Sequence, residues 1–190
     1  MFKKLLGIAA LLLGSTMTAL ATPTAVTLPS GFTFVEYSGS ATVGLGLVQR
    51  DSTLYYVRER VTGGYQSWLV FFDPLDIQRV QATLSFNGAI AQVLSTRADL
   101  LASQTLYAID IDGDGSLNDY GVALATGLED VDTLGWTPGA STLTINWLAA
   151  NPGDHVRVLV AAVPEPASLA LAAVALTGLA GIGRIRRRRR

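Results

Sequence analysis

Residues 110–119 are the part of the sequence whose residue types and spacing best suit the binding of a metal ion. The segment reads D-I-D-G-D-G-S-L-N-D, so carboxylates occupy the alternate positions 110, 112 and 114, and Gly115 follows at the sixth place. Oxygens at alternate positions converge on one hard cation when a glycine lets the chain turn sharply. The segment therefore predicts a calcium loop. Its expected ligands are Asp110, Asp112, Asp114, Ser116 (through its carbonyl), Asn118 and Asp119.

The calcium pattern is incomplete, because its twelfth place is Gly121 where a bidentate glutamate is expected. The flanking segments also read as strands rather than as the helices of an EF-hand. Calcium loops inside β-domains can take the missing carboxylate from elsewhere, and the candidates are Asp119, Glu129, Asp130 and Asp132. The alternative is an acidic hairpin in which aspartate and glycine serve turn geometry alone. If calcium binds, we expect its role to be structural.

Catalytic constellations find little support in the sequence. His155 is the only histidine, so a histidine-based zinc site cannot be assembled and a Ser-His-Asp triad would have to use it. Its place at the start of a strand predicts an exposed histidine at a strand edge. Trp68, Trp136 and Trp147 could form a platform for sugar, but in a sandwich they are expected in or beside the core. We therefore predict that the chain is not an enzyme.

Short strands separated by turn signals must position these residues. The predicted strands are residues 32–37, 42–50, 53–62, 65–72, 77–86, 105–111, 121–125, 142–148 and 155–162. Gly63-Gly64 predicts a hairpin turn, and residues 95–103 are the one plausible helix, with Ser95 or Thr96 as its cap. Nine strands at short spacing indicate a mainly β protein. We predict a single β-sandwich, jelly-roll-like or immunoglobulin-like, with one short helix.

Residues 22–162 have the length of one domain and a strongly acidic composition. They contain six arginines, no lysine and 14 carboxylates, a net charge of −8. Nucleic acid is a poor partner for such a charge. The chain has no cysteine, so its stability must come from the apolar core and from any bound cation.

The first 21 residues predict a signal peptide. A basic start at Lys3 and Lys4 is followed by an apolar segment at residues 5–13. Ala19 and Ala21 then supply the small residues that signal peptidase requires at −3 and −1. We expect cleavage by signal peptidase after Ala21, with the export machinery and signal peptidase as partners.

Residues 163–190 predict a membrane-anchoring tail. Pro164-Glu165-Pro166 keeps the entry extended, because proline disfavours helix in the residue before it. Residues 167–183 are 17 uncharged positions, near the lower limit for a transmembrane helix. The arginine-rich end at residues 184–190 would be held in the cytoplasm. The alternative to a processed sorting tail is a plain C-terminal anchor.

This three-part tail resembles the PEP-CTERM sorting signal of Gram-negative bacteria. The resemblance implies a protein that is exported and transiently anchored in the inner membrane. It further implies cleavage near Pro164-Glu165-Pro166 by an exosortase, an integral-membrane cysteine transpeptidase, and delivery to the cell surface or the exopolysaccharide matrix. Two functions follow as hypotheses. The first is a non-enzymatic surface or matrix protein with polysaccharide as a candidate ligand, and the alternative is a small secreted hydrolase acting on matrix polysaccharide.

Overall fold

The computed structural model describes residues 22–117, 119–121 and 127–162. These residues lie within one compact unit, Leu20–Ala162. None of the helices among the described residues has the length and apolar character needed to cross a membrane. The predicted signal peptide and sorting tail lie outside the described residues.

Nine strands and one helix make up the described part of the chain. The strands are β1 (Thr24–Thr27), β2 (Thr33–Glu36), β3 (Thr53–Thr62), β4 (Tyr65–Phe72), β5 (Gln78–Ser85), β6 (Ile90–Leu94), β7 (Thr133–Gly135), β8 (Thr142–Ala149) and β9 (Asp154–Ala161). The helix is α1 (Arg97–Tyr107). Gly63 and Gly64 turn β3 into β4 with φ values of 61° and 83°, which glycine adopts without steric cost.

The strands form two sheets that pack face to face, which confirms the mainly β two-sheet architecture. One sheet has the order β1-β5-β8-β7 and the other β2-β3-β4-β9-β6. The pairs are antiparallel except β2 and β3, which run parallel. In immunoglobulin domains the first two strands belong to one sheet. Here β1 and β2 lie in different sheets, so the strand order is not that of an immunoglobulin domain.

The main core lies between the sheets and is built by alternation along each strand. Inward positions of β4, β8 and β9 carry large apolar residues, while their neighbours point the other way. Its fully buried members include Leu54, Trp68, Phe72, Leu84, Leu143, Ile145, Trp147 and Val158. The tryptophan prediction is therefore confirmed for Trp68 and Trp147, and Trp136 packs partly buried against the same cluster.

A second layer covers the outer face of the five-stranded sheet. Helix α1 and the segments around Val43 and Tyr120 pack on Val57, Leu69 and Phe71. As a result β4 and β9 are buried on both faces along nearly their whole length. The helix begins after Thr96, whose hydroxyl accepts a hydrogen bond from the Asp99 N–H at 3.1 Å, as an N-cap should.

Two predicted strands are wrong. Residues 42–50 form no strand and contribute only the single bridge from Val43 to Tyr120. Gly44 and Gly46 there have φ values of 87° and 70°, which end extended pairing. Residues 105–111 are not a strand either, because α1 continues to Tyr107. The predicted strand at residues 121–125 falls almost wholly outside the described residues. Three short strands, β1, β6 and β7, were not predicted from the sequence.

Candidate metal site and buried polar groups

Three carboxylates of the acidic segment come together after α1. Oxygen atoms of Asp110, Asp112 and Asp119 all lie within 4.8 Å of one another. Asp110 and Asp112 come from the first turn of the segment, and Asp119 comes from its end. The chain therefore folds back on itself, so that residues nine positions apart face a common point.

Glycine-dependent turns hold the first carboxylate in place. Asp110 Oδ1 accepts the Gly113 N–H and Oδ2 accepts the Gly115 N–H, each at 2.7 Å. Both glycines have left-handed φ values, 79° and 87°. A side chain would be strained at either place. Asp112 Oδ1 similarly accepts the Asp114 N–H at 3.1 Å.

Asp119 connects the acidic loop to the body of the domain. Its side chain is 4 % exposed, and its Oδ2 accepts the Ile111 N–H at 2.7 Å. Its carbonyl accepts the Val43 N–H at 2.8 Å, and Gly121 donates to the Val43 carbonyl at 2.8 Å. The carboxylate position is thus set by main-chain pairing with a distant segment.

Apart from Ser116, whose predicted ligand is a main-chain carbonyl, the remaining predicted ligands and carboxylate sources divide into three groups. Asp114 is absent from the converging set, and its Oδ1 instead accepts the Ser116 N–H at 2.7 Å. Asn118 lies outside the described residues. The other proposed sources of a carboxylate, Glu129, Asp130 and Asp132, are not part of the set. The three carboxylates that do converge offer the hard oxygen ligands that calcium prefers, so the residues present fit that ion.

A buried ion pair is the largest polar feature that the sequence reading missed. Arg157 on β9 donates from Nε and Nη2 to the two carboxylate oxygens of Glu59 on β3, each at 2.7 Å. Ser67 on β4, the strand between them, donates to Glu59 Oε2 at 2.5 Å. Arg157 Nη1 donates to the Leu100 carbonyl at 3.1 Å and to the Ser103 hydroxyl, both on α1. The network ties three strands to the helix.

His155 is buried, which corrects the prediction of an exposed strand-edge histidine. Its side chain is 1 % exposed, and its ring stacks on Phe71 at 5.6 Å with an interplanar angle of 9°. Neither ring nitrogen makes a well-formed hydrogen bond among the described residues, although the Gly153 main chain lies near enough to offset part of the pKa shift. Burial lowers the pKa of His155 to about 4, so the ring is neutral near pH 7. The reason for the error is the second layer over β9, which strand alternation alone does not reveal.

Asp154, next in the chain, is a second buried titratable group. Its side chain is 4 % exposed, and its Oδ2 has no hydrogen-bond partner among the described residues. Burial, with smaller contributions from the charges of Asp132 and Glu129, raises the pKa of Asp154 to about 8. Asp154 is therefore largely protonated at neutral pH.

Comparison with known proteins gives a match at the end of the chain. The family model for the PEP-CTERM protein-sorting motif matches residues 162–190. Neither the curated proteins nor the solved structures contain a significant match to the chain.

Proposed function

We propose that this chain, a protein with a PEP-CTERM sorting motif, is an exported, non-enzymatic component of the cell surface or of the exopolysaccharide matrix. The match at residues 162–190 is the observation that carries the proposal. It agrees with the signal peptide expected at residues 1–21, because both signals place residues 22–162 outside the inner membrane. An exosortase processes the tail.

The chemistry of the tail supports transient anchoring. Seventeen uncharged residues would span about 25 Å as a helix, which is marginal for the hydrocarbon core of a bilayer. The arginines after it retain that end in the cytoplasm, since their transfer across the bilayer is costly. If the tail spans the bilayer in this way, Pro164-Glu165-Pro166 would be close to the outer interface, within reach of a membrane-embedded transpeptidase.

The environment of the only histidine argues against catalysis that uses histidine as a general base. A side chain that acts as a general base must lie within reach of the substrate proton, and a partner must orient it. His155 is enclosed between Phe71 and the second layer, its ring nitrogens make no well-formed hydrogen bond among the described residues, and burial lowers its pKa to about 4. Such a ring serves packing better than proton transfer.

We also propose that the acidic loop holds a structural calcium ion. Asp110, Asp112 and Asp119 provide the carboxylates, and the Ser116 carbonyl, Asn118 and waters complete the six to eight ligands that calcium takes. An ion there would join the loop after α1 to the segment paired with Val43. Because three carboxylates converge within the part of the chain that the structure describes, we expect an affinity of the order of 0.1–1 mM, typical of extracellular modules.

Replacement of Pro164-Glu165-Pro166 by three alanines in the producing strain tests the sorting proposal. The protein should then accumulate in the inner-membrane fraction, while the unaltered protein reaches the surface. A strain that lacks the transpeptidase provides the matched control and should retain the unaltered protein as well. Equal release of the alanine variant and the unaltered protein would show that the motif does not direct processing.

A further inference from the structure

A groove of about 420 Å3 opens at the β2 edge of the five-stranded sheet. It lies between the loop that follows β2 and the segment that precedes β3, and no residue of the acidic loop lines it. The volume is within the range of about 300–1,000 Å3 that is usual for small-molecule sites. The lining residues on which the argument rests are Glu36, Tyr37, Leu47, Arg50 and Tyr55.

The aromatic wall of the groove is held by a row of stacked rings. Tyr55 is half-buried and stacks on Phe71 at 5.2 Å, and Phe71 stacks on His155 at 5.6 Å. These rings occupy directly paired positions on β3, β4 and β9. Tyr37 packs edge-on against Tyr55 at 5.3 Å. The exposed part of the Tyr55 ring is therefore fixed in orientation before any ligand arrives.

The loop after β2 is fitted closely to the Tyr37 ring. The Tyr37 hydroxyl donates to the Ala41 carbonyl at 2.8 Å. A Cβ atom at Gly39 would lie 2.7 Å from that hydroxyl, so only glycine allows the loop to approach this closely. One side of the groove is thus a packed turn rather than a free loop.

The opposite side is anchored by a buried carboxylate. Asp73 is 1 % exposed, and its Oδ2 accepts the Val48 N–H at 2.8 Å and the Gln49 N–H at 3.4 Å. Gln49 has a φ of 53°, the left-handed region that a residue with a side chain rarely adopts. Strained backbone held by its surroundings is commoner at binding sites than elsewhere. The hydrogen bonds to Asp73 therefore hold the segment at Val48 and Gln49 in a strained backbone conformation.

Two opposite charges at the groove are free to contact a ligand. Glu36 and Arg50 are both exposed, and among the described residues neither takes part in an ion pair. Arg50 makes one long contact, 3.4 Å from Nη1 to the Gln49 carbonyl. The groove therefore offers a strong acceptor and a multiple donor beside the apolar surface of Leu47, which is 54 % exposed.

We propose that this groove binds one neutral sugar unit of a polysaccharide, an inference that rests on the matrix role proposed above. A pyranose has an apolar face that packs on an aromatic ring and hydroxyls that both donate and accept hydrogen bonds. Tyr55 and Leu47 meet the apolar face, Glu36 accepts from hydroxyls, and Arg50 donates to them. A uronate polymer is disfavoured because the domain carries a net charge of −8.

Calorimetric titration of the full chain in detergent with cellohexaose, laminarihexaose and mannohexaose tests the inference, with a mannuronate hexamer as the acidic comparison. At least one neutral hexasaccharide should bind with a Kd of about 1 mM or tighter. Glu36→Gln and Arg50→Gln should each raise that Kd about tenfold, since each removes a charge-assisted hydrogen bond. Asp76→Asn and Arg60→Gln, exposed charges outside the groove lining, are the matched controls and should leave the Kd unchanged.

Three results would overturn the inference. If the neutral hexasaccharide binds but both groove variants bind within twofold of the unaltered chain, the sugar site lies elsewhere and the polysaccharide role stands. If only the mannuronate hexamer binds, the ligand class is wrong. If none of the four binds while the protein is processed at its tail, the sugar site is wrong and the sorting proposal stands.

Discussion

Arg157 and Glu59 form a two-bonded ion pair across β4, with both nitrogen-to-oxygen distances at 2.7 Å. Both side chains are almost completely removed from solvent. Taking the two charges out of water is costly, and the remaining hydrogen-bonding atoms are satisfied by Ser67 and by two groups of α1. The ion pair therefore stabilises the fold only when all of these hydrogen bonds are present. The bonds from Arg157 to α1 also fix the position of the helix on the sheet.

Arg157→Met should destabilise the protein strongly, because it leaves the Glu59 carboxylate buried without its partner. We expect a loss of about 3–5 kcal/mol in the free energy of unfolding, measured by urea denaturation. Arg60→Met, at an exposed position next to Glu59 on β3, should change the free energy of unfolding by less than about 0.5 kcal/mol. The double variant Glu59→Leu with Arg157→Met should recover much of the loss. A cost below about 1 kcal/mol for Arg157→Met would contradict a closed network.

The stability of the domain should depend on pH through Asp154 and His155. The pKa of Asp154 rises from 3.8 to about 8 on folding, so between these values the folded state keeps a proton that the unfolded state loses. The pKa of His155 falls from 6.5 to about 4, so between those values the unfolded state holds the extra proton. From pH 4 to 6.5 the two effects on stability have opposite signs and nearly cancel.

Between pH 6.5 and 8 the contribution of Asp154 dominates, and the free energy of unfolding should fall by about 0.6–0.9 kcal/mol per pH unit, less than the limit of about 1.4 for a whole proton. Urea denaturation at several pH values measures this slope. Asp154→Asn should remove most of it, while Asp130→Asn, an exposed carboxylate in the nearby loop, should leave it unchanged. An unaltered slope in Asp154→Asn would show that the carboxyl is ionised in the folded protein at neutral pH.

Calcium should raise the melting temperature of the purified chain by several degrees over that in chelator. At about 10 mM calcium, linkage predicts a stabilisation of about 1.4–2.7 kcal/mol for the expected Kd of about 0.1–1 mM. Asp112→Asn should abolish the difference, whereas Asp114→Asn should keep it, because only Asp112 faces the other carboxylates. Magnesium should stabilise less, since it requires a tighter octahedral shell. Identical melting curves in calcium and chelator would mean that the loop is an acidic turn.

Before processing, both ends of the chain should face the cytoplasm. Lys3 and Lys4 retain the start of the signal peptide there, and the arginine block retains the end of the tail. A reporter that is active only in the cytoplasm, fused after Arg190, should therefore be active in a strain that lacks the transpeptidase. Neutralising the five arginines Arg186 to Arg190 should reduce that activity, because the marginal helix cannot stop transfer alone. Activity only of a periplasmic reporter at the same place would contradict this topology.

The strands that were predicted best from the sequence are those joined by a turn that adjacent residues specify. β3 and β4 begin and end at the predicted residues, because Gly63-Gly64 is a strong hairpin signal between two runs of β-branched and aromatic residues. Residues 42–50 alternate in the same way, yet their conformation is decided by distant partners, among them Asp73 and Asp119. No short-range pattern contains that information.

Burial in the second layer was equally hidden from the sequence. Alternation predicts which face of β9 meets the other sheet, but it cannot show that α1 covers the opposite face. His155, Arg157 and Glu59 were for that reason not recognised as buried groups. The convergence of Asp119 with Asp110 and Asp112 was proposed from the sequence because the segment is short and acidic, while the exclusion of Asp114 depends on turn geometry.

The mass of the intact protein recovered from the cell surface tests the central claim most directly. The account predicts a chain that begins near Thr22 and ends near Pro164 to Pro166, so that its mass excludes the apolar segment and the arginine block. A surface protein whose mass still includes Arg184 to Arg190 would contradict processing at the sorting motif and would leave the tail as a plain membrane anchor.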